Sequence, residues 1–251
     1  MIDSDVIKLP DGFNHQAFLS IDSTNKEAIR KIAKGAGSGL WITSEEQTGG
    51  RGRAGREWVS SPGNLYCSLI YNTGQELFTS SQLSFVTSVA VRETIDECLN
   101  TDDIKCKWPN DVLVVGKKIC GILLETTTNE LGQLLMVIGV GINIDHHPDL
   151  ALYEATHINA YAENKFNPAD VFYILAHKMA FWLNTWQLDG FSKIRQEWLR
   201  NSKGIGEIVT VKSGNEEFIG RFVDLDANGA LKLETSQGEK LIHSGDVFFD
   251  T

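Results

Sequence analysis

Gln47-Thr-Gly-Gly-Arg-Gly-Arg-Ala-Gly-Arg-Glu-Trp58 sets three arginines and four glycines between polar ends, and nothing else in the 251 residues is so concentrated. Glycine costs about 0.5–1 kcal/mol relative to alanine inside a helix or strand, so Gly49, Gly50, Gly52 and Gly55 make this stretch a loop. Arg51, Arg53 and Arg56, interleaved with glycine, let guanidinium forks and backbone N–H groups converge on one anion, which is how phosphate and carboxylate are gripped. A solvated basic loop is the plain alternative.

The chain around that loop reads as alternating strands and helices. Residues 15–21 form a short strand, and Asp22-Ser23-Thr24-Asn25 offers capping side chains for a helix to about Lys34, with Ala28, Ile29, Ile32 and Ala33 as its apolar face. Leu40 to Thr43 is the strand that delivers the chain into the loop, and Asn64 to Tyr71 the strand that leaves it. Helical spacing of Leu83, Val86, Val89, Ala90 and Ile95 makes residues 81–99 a core-facing helix. Ile104 to Trp108, Val112 to Val115 and Lys118 to Leu124 are strands, the last two joined by a tight turn at Gly116-Lys117. Leu134 to Ile142 is apolar enough for a central strand, and its glycines imply close approach by another group. Asn167-Pro168 starts a helix running to about Gln187, Gly190 breaks it, and a second helix ends near Asn201. From Gly204 onward, β alternation with turns at Gly214-Asn215, Asn228-Gly229 and Gly238 gives four or five short strands.

Composition bounds the function. With 42% hydrophobic and 22% charged residues, this is an ordinary globular chain. A formal net charge of −10 makes a protein living on nucleic-acid phosphates a surprise, and sets off the arginine cluster as a site for a small anion. Cys67, Cys98, Cys106 and Cys120 show no C-x-x-C pairing and read as reduced, buried thiols. The N-terminus carries acid where a secretory signal carries base, and no stretch reaches the roughly 18 apolar residues of a membrane span, so a soluble, cytoplasmic protein is expected.

Three further stretches carry more polar specification than folding needs. Ser23-Thr24-Asn25 supplies two hydroxyls and an amide for a neutral group rich in N–H and C=O, or simply caps a helix. Lys107-Trp-Pro-Asn-Asp111 puts a cation, an amide and a carboxylate on one turn; beside a phosphate site such a carboxylate holds Mg²⁺, and otherwise it is an Asn-Asp turn. Lys117-Lys118 opens a strand that becomes apolar at once, and the spacing does not tell which lysine points inward.

Together these stretches resemble the biotin protein ligases (biotin–[acetyl-CoA-carboxylase] ligases). In order they are Ser-Thr-Asn, Gln-Thr-x-Gly-Arg-Gly-Arg-x-Gly-Arg-x-Trp, Asn-Leu-Tyr, Lys-Trp-Pro-Asn-Asp, Lys-x-x-Gly-Ile-Leu-x-Glu and Gly-x-Gly-Ile-Asn, from about Ser20 to Asn143. The resemblance implies an α/β catalytic domain over residues 1–203, a mixed sheet flanked by helices, and a small SH3-like β-barrel domain over residues 204–251. It implies an enzyme that uses ATP and Mg²⁺ to activate biotin as biotinyl-5′-adenylate and then loads a lysine of a biotin carboxyl carrier protein. Ser23, Thr24, Asn25 and Gln47 would line the biotin ureido pocket, with Arg51, Gly52 and Arg53 folding over biotin and adenylate. Lys118 would contact the biotin carboxylate and the transferred phosphate, making Lys118, Arg53 and Arg51 the catalytic set. Trp58 would stack on adenine, Lys107, Asn110 and Asn143 would serve the nucleotide, and Asp111 the Mg²⁺. Ala54 stands where some members carry a base.

DNA-binding members of the family carry a helix-turn-helix domain ahead of Ser-Thr-Asn, whereas 22 residues precede Ser23 here, so a ligase without repressor function and without DNA is expected. An exposed strand edge would allow a homodimer. The C-terminal unit, beyond every motif and too small to carry the chemistry, is expected to dock on the catalytic domain and to help position the nucleotide or the carrier protein, so that a chain ending near Lys203 would still bind biotin but transfer it poorly. The rivals are a lipoate or octanoate ligase or transferase, disfavoured by Lys-Trp-Pro-Asn-Asp and the arginine loop, and a non-catalytic biotin-binding or regulatory protein, disfavoured by the intact lysine and arginine set.

Overall fold

The computed structural model describes residues 8–149 and 153–249. β1 (Asn14–Ile21), α1 (Thr24–Ile32) and β2 (Leu40–Gln47) form a β-α-β unit with parallel strands. Every other pairing in the sheet is antiparallel. After the arginine loop come β3 (Leu65–Tyr71), the short α2 (Leu77–Ser80) and α3 (Leu83–Cys98), then β4 (Ile104–Lys107), β5 (Asp111–Val114), β6 (Lys117–Thr128) and β7 (Leu134–Ile142). The seven strands lie in the order β1-β2-β3-β7-β6-β5-β4, the expected mixed sheet, with β7 at its centre.

Two helical layers cover the sheet unequally. On one face α3, α4 (Pro168–Asp189) and α5 (Phe191–Arg200) bury the main core, where Trp41 meets Phe172 edge-on at 5.5 Å. α4 starts from a capping box in which the Asn167 side chain accepts from the Ala169 and Asp170 amides. The other face receives only α1, through Ala28 and Ile32 against Ile42, Ile70, Leu135 and Val137. Ala33, expected on that apolar face, is exposed beyond the helix end; the buried positions are instead Thr24, Asn25, Ala28 and Ile32.

The half of this face that α1 leaves uncovered is where the site forms. Side chains alternate along a strand, so Leu135 and Val137 of β7 meet α1 while Gly139 and Gly141 leave the sheet bare beyond them. Gly141 pairs with Gly121 of β6 and Tyr66 of β3, and Gly139 with Leu123 and Ser68. Gly139 and Gly141 thus leave the room for the close approach by another group that the sequence implies. The β5–β6 turn falls on Val115-Gly116, both with positive φ, rather than on Gly116-Lys117.

β8 (Ile208–Ser213), β9 (Glu216–Leu225), β10 (Leu231–Thr235), β11 (Gly238–Ile242) and β12 (Asp246–Phe249) form an antiparallel sheet in the order β11-β10-β9-β8-β12. The expected SH3-like unit is thus a five-stranded sheet whose end strands are not paired to one another. Its buried Val209, Phe222, Leu231 and Val247 belong to the same continuous core as α3 and α5. Trp198 joins the two by packing on Phe85 and Phe222, and Trp108 Nε1 donates to Gly229 O at 3.0 Å.

Candidate active site

The arginine loop folds over the bare floor as a narrow excursion. Trp58 N donates to Gly50 O at 3.1 Å and Gly52 N to Arg56 O at 2.7 Å, and the tip turns at Ala54 and Gly55, both left-handed. The excursion lays Trp58 on the sheet. A β-carbon on Gly121 would stand 2.8 Å from its ring, and one on Gly141 would stand 2.5 Å from its Nε1, so only glycine at both positions admits the indole. Trp58 Nε1 is buried there without a hydrogen-bond partner.

One slot under the loop brings together Ser23, Thr24, Asn25, Gln47, Arg51, Gly52, Arg53, Trp58, Asn110, Asp111 and Lys118. A second cavity on the far side of the indole is lined by Trp58, Lys118, Asn143, Tyr153 and Ala155. Lys107, set apart from both linings, is sequestered against the C-terminal unit with its Nζ 5.5 Å from the Phe249 ring centre.

At the inner end of the slot, polar groups orient one another. Ser60 Oγ accepts from Gln47 Nε2 at 2.9 Å, and Gln47 Oε1 accepts from Thr24 N at 2.8 Å and Thr24 Oγ1 at 3.1 Å. The fully buried Ser68 places its hydroxyl 2.7 Å from Thr24 Oγ1 and 2.5 Å from Asn25 Oδ1; with one proton it donates to one of them. Asn25 Nδ2 donates to Glu125 at 2.8 Å, and Glu125 in turn holds Arg51 at 2.7 Å. Ser23 occupies the N-cap of α1 without a side-chain capping bond, and Thr24 and Asn25 face the slot, so this trio does more than start a helix. Ser68 was missed because a single serine among apolar strand residues carries no motif; its one signal is its polarity in Leu65–Tyr71.

A β-bulge aims Lys118. Leu113 pairs with Lys118 but Val112 pairs with Cys120, so Ile119 is the extra residue on β6. Without it, Lys118 and Gly121, three apart, would point to opposite faces. With it, Lys118 joins Gly121 and Leu123 in lining the slot, and it is Lys118 rather than Lys117 that points inward. Lys118 Nζ lies 2.7 Å from Asp111 Oδ1 and 5.5 and 4.9 Å from the Trp58 and Tyr153 ring centres. Its backbone clamps the next segment, with Lys118 N bonded to Glu154 O and Thr156 N to Lys118 O. Asn143 Nδ2 donates to Thr156 O at 2.9 Å, which fixes Tyr153 and Ala155 against the second cavity.

The three loop arginines do not converge on one point. Arg51 binds Glu125, Arg53 Nη1 binds Asn110 Oδ1 at 2.8 Å, and Arg56 reaches Asp246 of β12 at 3.1 Å. Burial lowers the pKa of Arg53, opposed by the charges of Asp246 and Asp111, and burial likewise lowers that of Lys107. Arg53 is thus a cation stripped of much of its water and held by neutral acceptors, and an incoming anion would satisfy it better. Gly245 and Asp246 bring the C-terminal unit to the arginine loop, in line with its expected docking on the catalytic domain: Asp246 lines the slot, over a hundred residues from the nearest motif in sequence.

Residues 18–143 match the Biotin/lipoate A/B protein ligase family, and residues 204–250 match the Biotin protein ligase C terminal domain. The chain is 34% identical over 234 residues to the biotin–[acetyl-CoA-carboxylase] ligase of Paracoccus denitrificans, an overlap of 91% of this chain and 97% of that protein. To the bifunctional ligase/repressor BirA of Bacillus subtilis it is 33% identical, over 90% of this chain and 71% of that protein. Among solved structures, the biotin protein ligase from Aquifex aeolicus in complex with biotin and ATP superposes with a TM-score of 0.80 at 26% identity, over 94% of this chain and 97% of that one.

Proposed function

The chain belongs to the biotin/lipoate A/B protein ligase family, and on that premise we infer that it activates biotin with ATP as biotinyl-5′-adenylate and transfers the biotinyl group to a lysine of a biotin carboxyl carrier protein. The observation that carries this reading is the wall shared by the two cavities: Trp58 and Lys118 line both. An acid in the slot and a nucleotide in the second cavity would meet at Lys118.

The polar inner end formed by Ser23, Thr24, Asn25 and Gln47 suits the ureido head of biotin, whose N–H and C=O groups need both acceptors and donors. The carboxylate end then lies towards Lys118. For that carboxylate to attack the α-phosphate, two anions about 4 Å apart must overcome a repulsion of roughly 1 kcal/mol in water and 4 kcal/mol at an effective dielectric of 20. Arg51, Arg53 and Lys118 supply the opposing charge, and pyrophosphate leaves in line. Trp58 offers adenine a ring face, with Asn143 as its polar contact and Tyr153 opposite; Asn110, in the slot, serves the phosphates, and Lys107, outside both linings, adds only its positive charge from behind. In the second step the acceptor amine attacks the anhydride carbonyl, the C–O bond to AMP breaks, and a proton is lost.

Mg²⁺ enters as part of MgATP. Among the described residues no group of three or more His, Cys, Asp or Glu side chains could cage a metal, and none is needed, since nucleotide-borne Mg²⁺ takes one or two carboxylates beside phosphate and water. Asp111 is the carboxylate that fits: it lines the slot, largely buried, and its Oδ1 is paired with Lys118 Nζ at 2.7 Å, so it would face a nucleotide-borne cation beside that lysine.

We place the boundary between the catalytic and C-terminal units at Lys203-Gly204. Four buried free cysteines suit a reducing cytoplasm, and among the described residues no helix is long and apolar enough to cross a membrane. The net charge of −10 argues against a DNA role, and β1, one end strand of the large sheet, is where a second copy would pair, since β4 at the other end already bonds Asn201 and Lys203 through Cys106. ATP–pyrophosphate exchange tests the reading against its nearest rival. Exchange should require biotin and fail with lipoate or octanoate; exchange as fast with lipoate as with biotin would overturn it.

A further inference from the structure

β12 meets the catalytic unit at two points, of which the first is in the site. At its start, Asp246 lines the slot and its Oδ1 accepts from Arg56 Nη2 at 3.1 Å, while the adjacent Gly245 O lies 3.5 and 3.4 Å from Arg53 Nη1 and Nη2. At its end, the Phe249 ring lies under two ammonium groups, Lys107 Nζ at 5.5 Å and Lys203 Nζ at 5.4 Å, and fills the space beside Gly204. The second contact is part of a packed joint. The first is different: the Arg56 and Asp246 side chains are 43% and 45% exposed, so the pair holds weakly, shifting the loop's population by a factor of about five at most. That is the strength of a latch that opens for substrates and closes over a product of the first step.

We propose that Asp246 is a positioning residue of the ligase reaction: through Arg56, and beside the Gly245 carbonyl that holds Arg53, it docks the tip of the arginine loop on the C-terminal sheet and sets how long the acyl-adenylate is retained. The inference rests on the ligase reading above. Asp246 touches the loop and not the reacting atoms, so its loss leaves adenylate formation in place and lets the adenylate escape. Escaped adenylate acylates any amine it meets: the amine attacks the anhydride carbonyl, the C–O bond to AMP breaks, AMP departs and the amine gives up a proton.

The test uses the full chain with biotin, MgATP and serum albumin as a bystander, without carrier, and reads biotin on albumin by intact mass. Asp246→Ala and Arg56→Ala should each raise bystander labelling about two- to fivefold while changing the biotin KM in pyrophosphate exchange less than twofold. The double variant should leak no more than either single one, and Asp246→Glu should return labelling to the wild-type level, which a merely structural role would not do. If Asp246→Ala unfolds, Asp246→Asn keeps the shape, removes the charge and reads the same latch. Wild-type labelling in Asp246→Asn, additive leakage in the double variant, or leakage undiminished in Asp246→Glu would overturn the proposal. Wild-type protein that loads no biotin on a carrier would overturn the ligase reading instead, so the two failures are distinct.

Discussion

Nε1 of Trp58 lies 2.5 Å from where a β-carbon on Gly141 would stand. The glycine is absent of side chain because the indole is there, and the indole is what divides the slot from the second cavity. Gly141→Ala should therefore displace Trp58 while leaving the β7 ladder intact, since the backbone at Gly141 is ordinary strand. The ATP KM in biotin-dependent exchange should rise tenfold or more, with a smaller change for biotin. An unchanged ATP KM would remove Trp58 from the nucleotide compartment.

Lys118→Ala takes away a cation where two anions meet and leaves Asp111 without its 2.7 Å partner. Adenylate formation in single-turnover assays should drop by a hundredfold or more, as when a fixed electrostatic contact to a developing charge is lost. Unfolding stability should fall by about 1–3 kcal/mol from the unpaired carboxylate. Adenylate made at the wild-type rate would show that the role assigned to Lys118 is wrong.

Ser68→Ala removes the buried hydroxyl that steadies Thr24 and Asn25. One hydrogen bond contributes about 0.5–1.5 kcal/mol, so biotin should bind roughly 2- to 13-fold more weakly by calorimetry. An unchanged affinity would mean that the polar end of the slot is held by other contacts.

His15 packs on Phe172 with ring centroids 4.7 Å apart, and burial lowers its pKa from 6.5 to about 4. The unfolded chain takes up a proton there below pH 6.5 that the folded chain refuses until about pH 4. Stability should fall as pH drops through that window, by at most about 3 kcal/mol and less where solvent screens the ring, and be flat above it. His157, lowered by burial and then by His147, acts in the same direction. Thermal midpoints should follow this course, and His15→Gln should flatten part of it. A slope identical to wild type in that variant would contradict the assignment.

Much of this site was legible because its residues are adjacent in sequence or chemically unusual. Four glycines dictated a loop, Gly139 and Gly141 announced a close approach in an apolar strand, and Lys107 to Asp111 stood out as a polar turn. What stayed hidden depends on pairing. The inward aim of Lys118 comes from one residue of the same strand, Ile119, left without a partner on β5, and periodicity does not reveal a bulge. Tyr153 reaches the second cavity because Lys118 and Asn143 clamp the segment behind it. Gly245 and Asp246 sit where β12 of the C-terminal sheet begins, and the packing of Trp198 and Phe249 joins that sheet to the catalytic unit. The short helix Leu77–Ser80 has too few turns to show a period.

The account stands most directly on transfer itself. The protein mixed with biotin, MgATP and a biotin carboxyl carrier domain should give, by intact-mass spectrometry, carrier heavier by one biotinyl group on a single lysine, with no shift when either biotin or ATP is withheld. Carrier that stays unmodified while the protein is folded and both substrates are present, or that is loaded equally well with lipoate, would contradict it.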